Sequence, residues 1–405
     1  MSKKNVLDGI KVIEVASFVA GPSASVQLAD FGAEVLKVEP LSGDPWRNGD
    51  KNPPLVASET HYCHMLANRN KKSVALNLKD PKAQEVLYKL VAEADIFLTN
   101  SLPHVISDLN ISYDTLNKIN PKIIYALLTG FGEQGAEADS PGFDETAWWA
   151  NSGLMEQTRA PGAPVTIAPV AMGDNNSAVA LFAAVMSGLY QRERTGEGCK
   201  VSTSLMASGV WANSVAIQAA LVGCAPQVKT SHRDWLGPLA ASAYTTKDGR
   251  DIFIVQLNPR NWPDMCDALG QEKLKVDPLF SSPMGRYQNH LALTEALDGV
   301  FGAMTLEEVK AALGKAKTNF SVVRLAAECT NDQQMIDNGL FPEIEGSNGF
   351  KTVQSPVTVE GIPKAVPQMA PDEIGGNTVA ELKALGYNDA DIKSLAEAGA
   401  IGIPA

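Results

Sequence analysis

Short apolar runs alternate with longer amphipathic stretches along the first half of the chain. Val12–Val15 has the length and composition of a strand, Ala24–Phe31 is helical in pattern, and Glu34–Val38 is a second strand, so the three predict a βαβ unit. Gly21-Pro22 reads as the turn between the first strand and its helix. The alternation continues with Ser73–Leu78 as a strand and Pro81–Ala92 as an amphipathic helix, Asp80 serving as N-cap and proline taking the first helical position. Ile96–Leu98 and Ile123–Leu128 are further strands, and the series predicts a parallel sheet covered by helices. Beyond a loop rich in glycine, proline and acidic residues, Asn175–Arg194 reads as a long helix, apolar on most faces and therefore buried, which Thr195-Gly196-Glu197-Gly198 stops. A strand at Lys200–Ser202, one apolar helix over Met206–Val222 and a linker over Cys224–Pro238 follow.

A second unit begins at the hairpin turn Tyr244-Thr245-Thr246-Lys247-Asp248-Gly249-Arg250, flanked by the strand Ile252–Gln256, with helices near Trp262–Leu269 and Leu306–Leu313. From about Phe341 the chain is proline-rich and extended until two terminal helices, Val379–Leu385 and Asp389–Glu397. The pattern and the length therefore predict an α/β fold of two compact units, the first built on a parallel sheet.

Composition narrows the class of function. With 45% hydrophobic and 20% charged residues over 405 positions the chain can bury a substantial interior, and a net charge of −12 argues against a nucleic-acid partner. The polar Met1–Val6 leads straight into an apolar run without the form of a signal peptide, and the apolar segment Ala178–Leu189 is too short to span a bilayer, so a cytoplasmic location and no membrane association are expected. Five scattered cysteines, Cys63, Cys199, Cys224, Cys266 and Cys329, lack metal-ligand spacing and read as reduced structural thiols.

Several patterns invite chemistry. Gly130-Phe131-Gly132-Glu133-Gln134-Gly135 fits G-x-G-x-x-G after a strand, but Ala136–Pro141 is loop-like, and a dinucleotide site needs a helix to start within the motif. His61, Cys63 and His64 lie close together without a fourth ligand at usable spacing, so no metal is expected. Trp148, Trp149, Met155 and Trp211 suit either an apolar acyl pocket or ordinary core packing. In Ala171-Met172-Gly173-Asp174-Asn175-Asn176-Ser177 a lone acid stands between a glycine and a long helix. Asp174 fits a plain N-cap; it also fits a reactive carboxylate, because glycine leaves room for a ligand and a helix N-terminus stabilises negative charge beside it.

Blocks along the whole chain resemble class III coenzyme A transferases, the family of formyl-, carnitine-, hydroxyacyl- and benzylsuccinate-type enzymes. They include Leu7-Asp8-Gly9-Ile10, Ala20-Gly21-Pro22, Phe31-Gly32-Ala33-Glu34-Val35, Asn70-Lys71-Lys72-Ser73, Pro141-Gly142-Phe143-Asp144, Gly173-Asp174 and Arg194-Thr195-Gly196-Glu197-Gly198. The resemblance implies an interlocked dimer, with Asp174 as the acyl-carrying aspartate: it attacks the thioester to give an anhydride, and CoA thiolate then forms an aspartyl-CoA thioester. It implies a large Rossmann-like α/β domain over residues 1–225, a smaller α+β domain over 226–330 and a segment 331–405 that returns to the large one, and it implies that CoA or acyl-CoA is the substrate, with no tightly bound cofactor, metal or ATP. CoA contacts map onto Asn70, Lys71, Lys72 and Leu76 at the nucleotide end and onto Asn100, while Val19 and Ala20 fall on the turn near the thioester and Glu145 where relatives carry an active-site acid.

The chain departs from the family pattern in informative places. Pro40 and Asp108 stand where relatives often carry arginine, so Lys71, Lys72 or Arg47 would have to replace those phosphate contacts. The glycine-rich loop of the formyl type is missing near Trp235–Ala241, and the segment after Pro141 resembles the hydroxyacyl and benzylsuccinate types. An aromatic, branched or 2-hydroxy acid as acceptor, with succinyl-CoA as a possible donor, is the resulting expectation. Methylacyl-CoA racemases share the fold and the aspartate but move an α-proton with a histidine that aligns with Phe143, and phenylalanine transfers no proton. A third possibility is that the chain is a less active partner in a heteromer with a homologous subunit.

Overall fold

In the computed structural model, which describes residues 5–225, 239 and 241–404, the alternating runs pair into one sheet. Its strands are β1 (Lys11–Val15), β2 (Glu34–Glu39), β3 (Lys71–Leu76), β4 (Ile96–Thr99), β5 (Ile124–Thr129) and β6 (Cys199–Ser204). All six run parallel in the order β3-β2-β1-β4-β5-β6. β4 and β5 read as near-continuous apolar runs because helices cover both faces. One face packs Val12, Leu98, Ala126 and Leu128 against the helices Ala20–Asp30 and Met172–Thr195; the other packs Ile13, Leu36, Val74, Phe97 and Leu127 under Pro81–Ala92 and the C-terminal helices.

The chain divides into two units, one built from the stretch up to Thr158, Val165–Cys224 and Ile336 onward, the other from Arg159–Pro164 and Ala225–Met335. The second unit holds the strands β7 (Ser242–Thr245), β8 (Asp251–Ile254) and β9 (Phe320–Val322), paired antiparallel in that order. Its core gathers Tyr244, Ile252, Ile254, Trp262, Leu297 and Phe301. In the first unit the terminal helices Thr378–Ala384 and Asp389–Glu397 lead into β10 (Ile401–Gly402), which adds antiparallel to the free edge of β3. A Cβ at Gly402 would lie 2.9 Å from that of Ala75, so only glycine lets the tail seat there.

Three expectations change. Gly21-Pro22 is no turn: the helix opens at Ala20, and proline is harmless in a first turn whose N–H groups have no helical partner. The Met206–Val222 stretch is two helices, Leu205–Ala212 and Ser214–Leu221, broken at Asn213, whose Nδ2 donates to the Ser152 carbonyl at 3.0 Å. The long helix starts at Met172, three residues before the predicted Asn175, and buries one stripe, from Gly173 and Ser177 through Leu181, Val185 and Leu189, while its other faces stay open. Most of the expected linker, 226–238, and most of Trp235–Ala241 lie outside the described residues.

Candidate active site

The sheet order reverses at β1, whose neighbours are β2 on one side and β4 on the other. Ligands of open parallel sheets settle beyond the carboxyl ends of the strands at such a point. The turn leaving β1 there is held from three directions. Asn100, just past β4, accepts from the Ser17 amide at 3.0 Å and donates to the Ser17 carbonyl at 2.8 Å. Asp44 accepts from the Phe18 amide at 3.1 Å, and the Lys37 ammonium donates to the Ala16 carbonyl at 2.9 Å. Phe18 adopts φ 62°, a backbone state that a bulky residue takes only where its surroundings impose it.

Those holding groups belong to a buried charge cluster. Lys37 Nζ lies 2.8 Å from Glu14 Oε1 and 2.8 Å from Asp44 Oδ2, and Lys71 Nζ lies 2.7 Å from Glu14 Oε2. Burial alone would raise the Glu14 carboxyl, yet the two ammonium groups dominate and bring it down to about 2. Burial lowers Lys71 to about 8, with Lys37 adding repulsion and Glu14 opposing.

On the neighbouring strand, Gly130 follows β5 and meets Gly142 backbone to backbone; a Cβ at Gly130 would lie 2.8 Å from the Gly142 Cα. This close approach carries Phe143 and Asp144 to the end of the sheet, where a π-helical turn, Asp144–Ala150, begins. The buried Asp144 carboxylate accepts from the Gly173 amide through Oδ1 and Oδ2, each at 3.0 Å, and thereby caps the Met172–Thr195 helix. Asp174 is not the N-cap; Ala171 is, at φ 63°, and Asp174 sits inside the first turn. Gly173 is required for this fit, since a Cβ there would lie 2.3 Å from Asp144 Oδ1 and 2.4 Å from Trp148 Cγ. Trp148 and Trp149 are buried and stacked, 5.8 Å between ring centroids, which settles them as packing beneath the site; Trp211 is 80% exposed.

Asp174 is half-buried and receives no hydrogen bond to its carboxylate from the described residues. Burial first, then the negative charges of Asp144 and Glu145, push it from the ordinary 3.8 up to about 7. Asp144 is raised by burial and Glu145, although the Gly173 and Asp174 amides hold it down. Beside them the Phe143 ring, 55% exposed, meets Phe18 edge to face at 5.9 Å, so the turn after β1 and the Asp174 helix border one another. A half-open carboxylate with no donor of its own and apolar rings alongside is suited to attack an electrophilic acyl carbon.

The expected site residues divide into those gathered here and those that are not. Val19, the N-cap of the Ala20–Asp30 helix, and Ala20 follow the turn after β1 that Asn100 holds, and Glu145 is close enough to Asp174 to disfavour its ionisation. Lys71 is corrected: its ammonium is buried and bonded to Glu14, Asn68 and the carbonyls of Pro22 and Ala67, leaving nothing for a phosphate. Consecutive strand residues face opposite ways, so Lys72 points to the other side of the sheet and pairs with Glu381 at 2.9 Å. The Leu76 side chain lies in the core, opposite Ile401. Asn70 takes φ 63° and accepts from the Gln368 amide at 2.6 Å. Arg47 is bound to both Glu39 oxygens and to the Pro371 and Asp372 carbonyls, so it too is occupied. Pro40 and Asp108 are exposed.

The sequence reading passed over Asp144 and the Glu14–Lys37–Asp44 cluster as site elements. A charged residue inside an otherwise apolar strand, as Glu14 in Val12-Ile13-Glu14-Val15 and Lys37 in Leu36-Lys37-Val38, is the signal for such a cluster, because a buried charge requires a partner. Among the described residues no group of three or more His, Cys, Asp or Glu could hold a metal ion, and no helix is long and apolar enough to cross a membrane.

Known proteins resemble this chain over its whole length. A family model described as CoA-transferase family III matches residues 7–378. The (R)-2-hydroxy-4-methylpentanoate CoA-transferase of Clostridioides difficile is 31% identical, with 96% of this chain and 98% of that one covered. The cinnamoyl-CoA:phenyllactate CoA-transferase of Clostridium sporogenes is 32% identical, covering 96% of each. Among solved structures, a CAIB/BAIF family protein from Brucella suis superposes with a TM-score of 0.83 at 25% identity, over 95% of this chain and 100% of that one.

Proposed function

The chain belongs to CoA-transferase family III, and from that premise we propose that it moves CoA between an acyl-CoA and a 2-hydroxy acid with an aromatic or branched side chain, using Asp174 as the covalent carrier. Family membership makes it an enzyme acting on CoA thioesters; the acid and the carrier are the proposal. In the first step an Asp174 oxygen attacks the thioester carbonyl carbon, the C–S bond breaks, and CoA leaves as thiolate while an aspartyl anhydride forms. The thiolate attacks Asp174 Cγ, the donor acid departs as a carboxylate, and an aspartyl-CoA thioester remains. The acceptor carboxylate then expels CoA to form a second anhydride, and thiolate attack on its acyl carbon releases the new acyl-CoA and restores Asp174.

The observation that carries this reading is the Asp174 carboxylate itself, held in the first helical turn without a hydrogen-bond donor or a cation from the described residues. Its neighbour Phe143 offers an apolar ring where a racemase would need a proton carrier, which favours transfer over racemisation. Support for the acid comes from the two relatives named for a branched and an aromatic 2-hydroxy acid, and from the Phe18–Phe143 ring pair bordering the site. Val19, Ala20 and Asn100 are proposed to receive the thioester end of CoA at the β1 crevice, with Glu145 at its rim. The enzyme is proposed to work as an interlocked dimer: no residue of the Ser214–Leu221 helix is buried, and Trp211, Val215 and Leu221 are 80%, 85% and 75% exposed, an apolar face that a second copy would cover.

Incubation with phenyllactyl-CoA, 2-hydroxy-4-methylpentanoyl-CoA or succinyl-CoA is expected to leave a CoA adduct on the peptide containing Asp174, detected by mass spectrometry. Asp174→Asn should lack both adduct and exchange with the fold intact, because the amide has nearly the same shape and cannot form the anhydride. Exchange near the wild-type rate in that variant would sink the mechanism, and exchange confined to straight-chain acids would sink the substrate class.

A further inference from the structure

Resting on the aspartyl mechanism, we infer that Asp144 is a positioning residue with a second effect: its fixed negative charge destabilises the free Asp174 carboxylate and so favours the covalent intermediates. The two carboxylates meet the same helix start on unequal terms. Asp144 is buried and takes the Gly173 amide through both oxygens at 3.0 Å, whereas Asp174, next along the chain, receives no donor from the described residues. The capping interaction that would satisfy a carboxylate at this helix end is therefore already taken by the partner.

Among the described residues no cation offsets the pair. The π-helical turn contributes Asp144 and Glu145. The Ala20–Asp30 helix, packed along the Asp174 helix, contributes Asp30, which is paired with Arg69 at 2.7 Å, and Leu205–Ala212 contributes no ionisable residue. β6 contributes Lys200, which is paired with Glu133, and β5 only the buried Tyr125, bonded to the Ile111 carbonyl, so among the described residues the charges that bear on Asp174 are acids, its ionisation being disfavoured first by burial and then by Asp144 and Glu145.

The chemistry removes that conflict. When an Asp174 oxygen bonds to the acyl carbon and the C–S electron pair leaves with CoA, the negative charge passes from the Asp174 carboxylate to the thiolate sulfur. When that sulfur attacks Cγ, the charge departs on the donor carboxylate. In the anhydride and in the aspartyl-CoA thioester alike Asp174 is uncharged, so its repulsion by Asp144 is present in the free enzyme and absent from both intermediates.

Asp144→Asn separates this effect from simple support of the helix, because the asparagine Oδ1 still accepts from the Gly173 amide. Two readouts apply, using the three thioesters named above. The acidic limb of the kcat/KM pH profile should move down by about one pH unit, and the ratio of CoA adduct to free protein at a fixed ratio of thioester to its free acid should fall about tenfold, the size of effect expected from removing one adjacent like charge. Asp144→Glu should restore the acidic limb toward the wild-type position. A folded Asp144→Asn protein with an unmoved limb and an undiminished adduct would overturn the inference while leaving the carrier role intact. Wild-type protein that forms no adduct with any of the three would instead remove the mechanism on which the inference rests.

Discussion

Replacing Asp174 by asparagine should make the protein more stable above neutral pH while abolishing its chemistry. The carboxyl titrates near 7 in the folded chain instead of the ordinary 3.8. Between those values the native state keeps a proton that the unfolded chain has released, so it binds more protons and its stability falls as pH rises through that window. Above pH 7 the full cost is present: a displacement of about three pH units corresponds to about 4 kcal/mol, and solvent screening at a half-open carboxylate reduces this to about 2 kcal/mol. Asparagine carries no charge at any of these pH values and recovers that amount. Thermal unfolding followed by calorimetry should show the variant melting about 2 °C above wild type at pH 8, with the gap closing toward pH 4. A variant no more stable than wild type at pH 8, or one whose advantage is the same at pH 4 and pH 8, would refute the electrostatic account of the site.

Two further substitutions test the supports. Gly173→Ala should cost about 2–3 kcal/mol and most of the activity, because the new methyl group would sit 2.3 Å from Asp144 Oδ1 and 2.4 Å from a Trp148 ring that is itself packed on Trp149; a denaturant midpoint and turnover close to wild type would contradict this. Lys37→Met leaves Asp44 buried without a counter-ion and Glu14 with Lys71 alone, and should cost about 3–5 kcal/mol in equilibrium unfolding. A loss below about 1 kcal/mol would mean that the cluster rearranges around the gap.

How far the chain could be read in advance depended on the range over which each signal acts. The Pro81–Ala92 helix matches its prediction at both ends because everything that defines it is local: Asp80 accepts from the Lys82 amide at 2.8 Å, and the apolar stripe lies within the segment. The Asp174 helix was misplaced at its start because its cap comes from Asp144, in a loop far upstream, and no pattern near residue 174 announces it. For the same reason Asp174 itself could be singled out from Gly173-Asp174 and the family resemblance, whereas its partner acid could not. Lys71 and Lys72 look interchangeable in sequence; only the pleat of β3 decides that one ammonium enters the charge cluster and the other leaves by the opposite face. Strands as short as Phe320–Val322 and Ile401–Gly402 carry no periodicity of their own and exist because an edge was waiting for them.

The contact between Gly130 and Gly142 has a consequence for how such a protein can change over time. Where the two backbones touch, residues 131–141 become an excursion that leaves and re-enters the structure at one point. Closing such a loop costs little more when it is longer, since the entropic cost grows only with the logarithm of its length. Insertions and rewritten sequence between the two glycines can therefore accumulate without displacing Asp144 or the helix that it caps. The chemistry and the surface beside it are free to evolve at different rates.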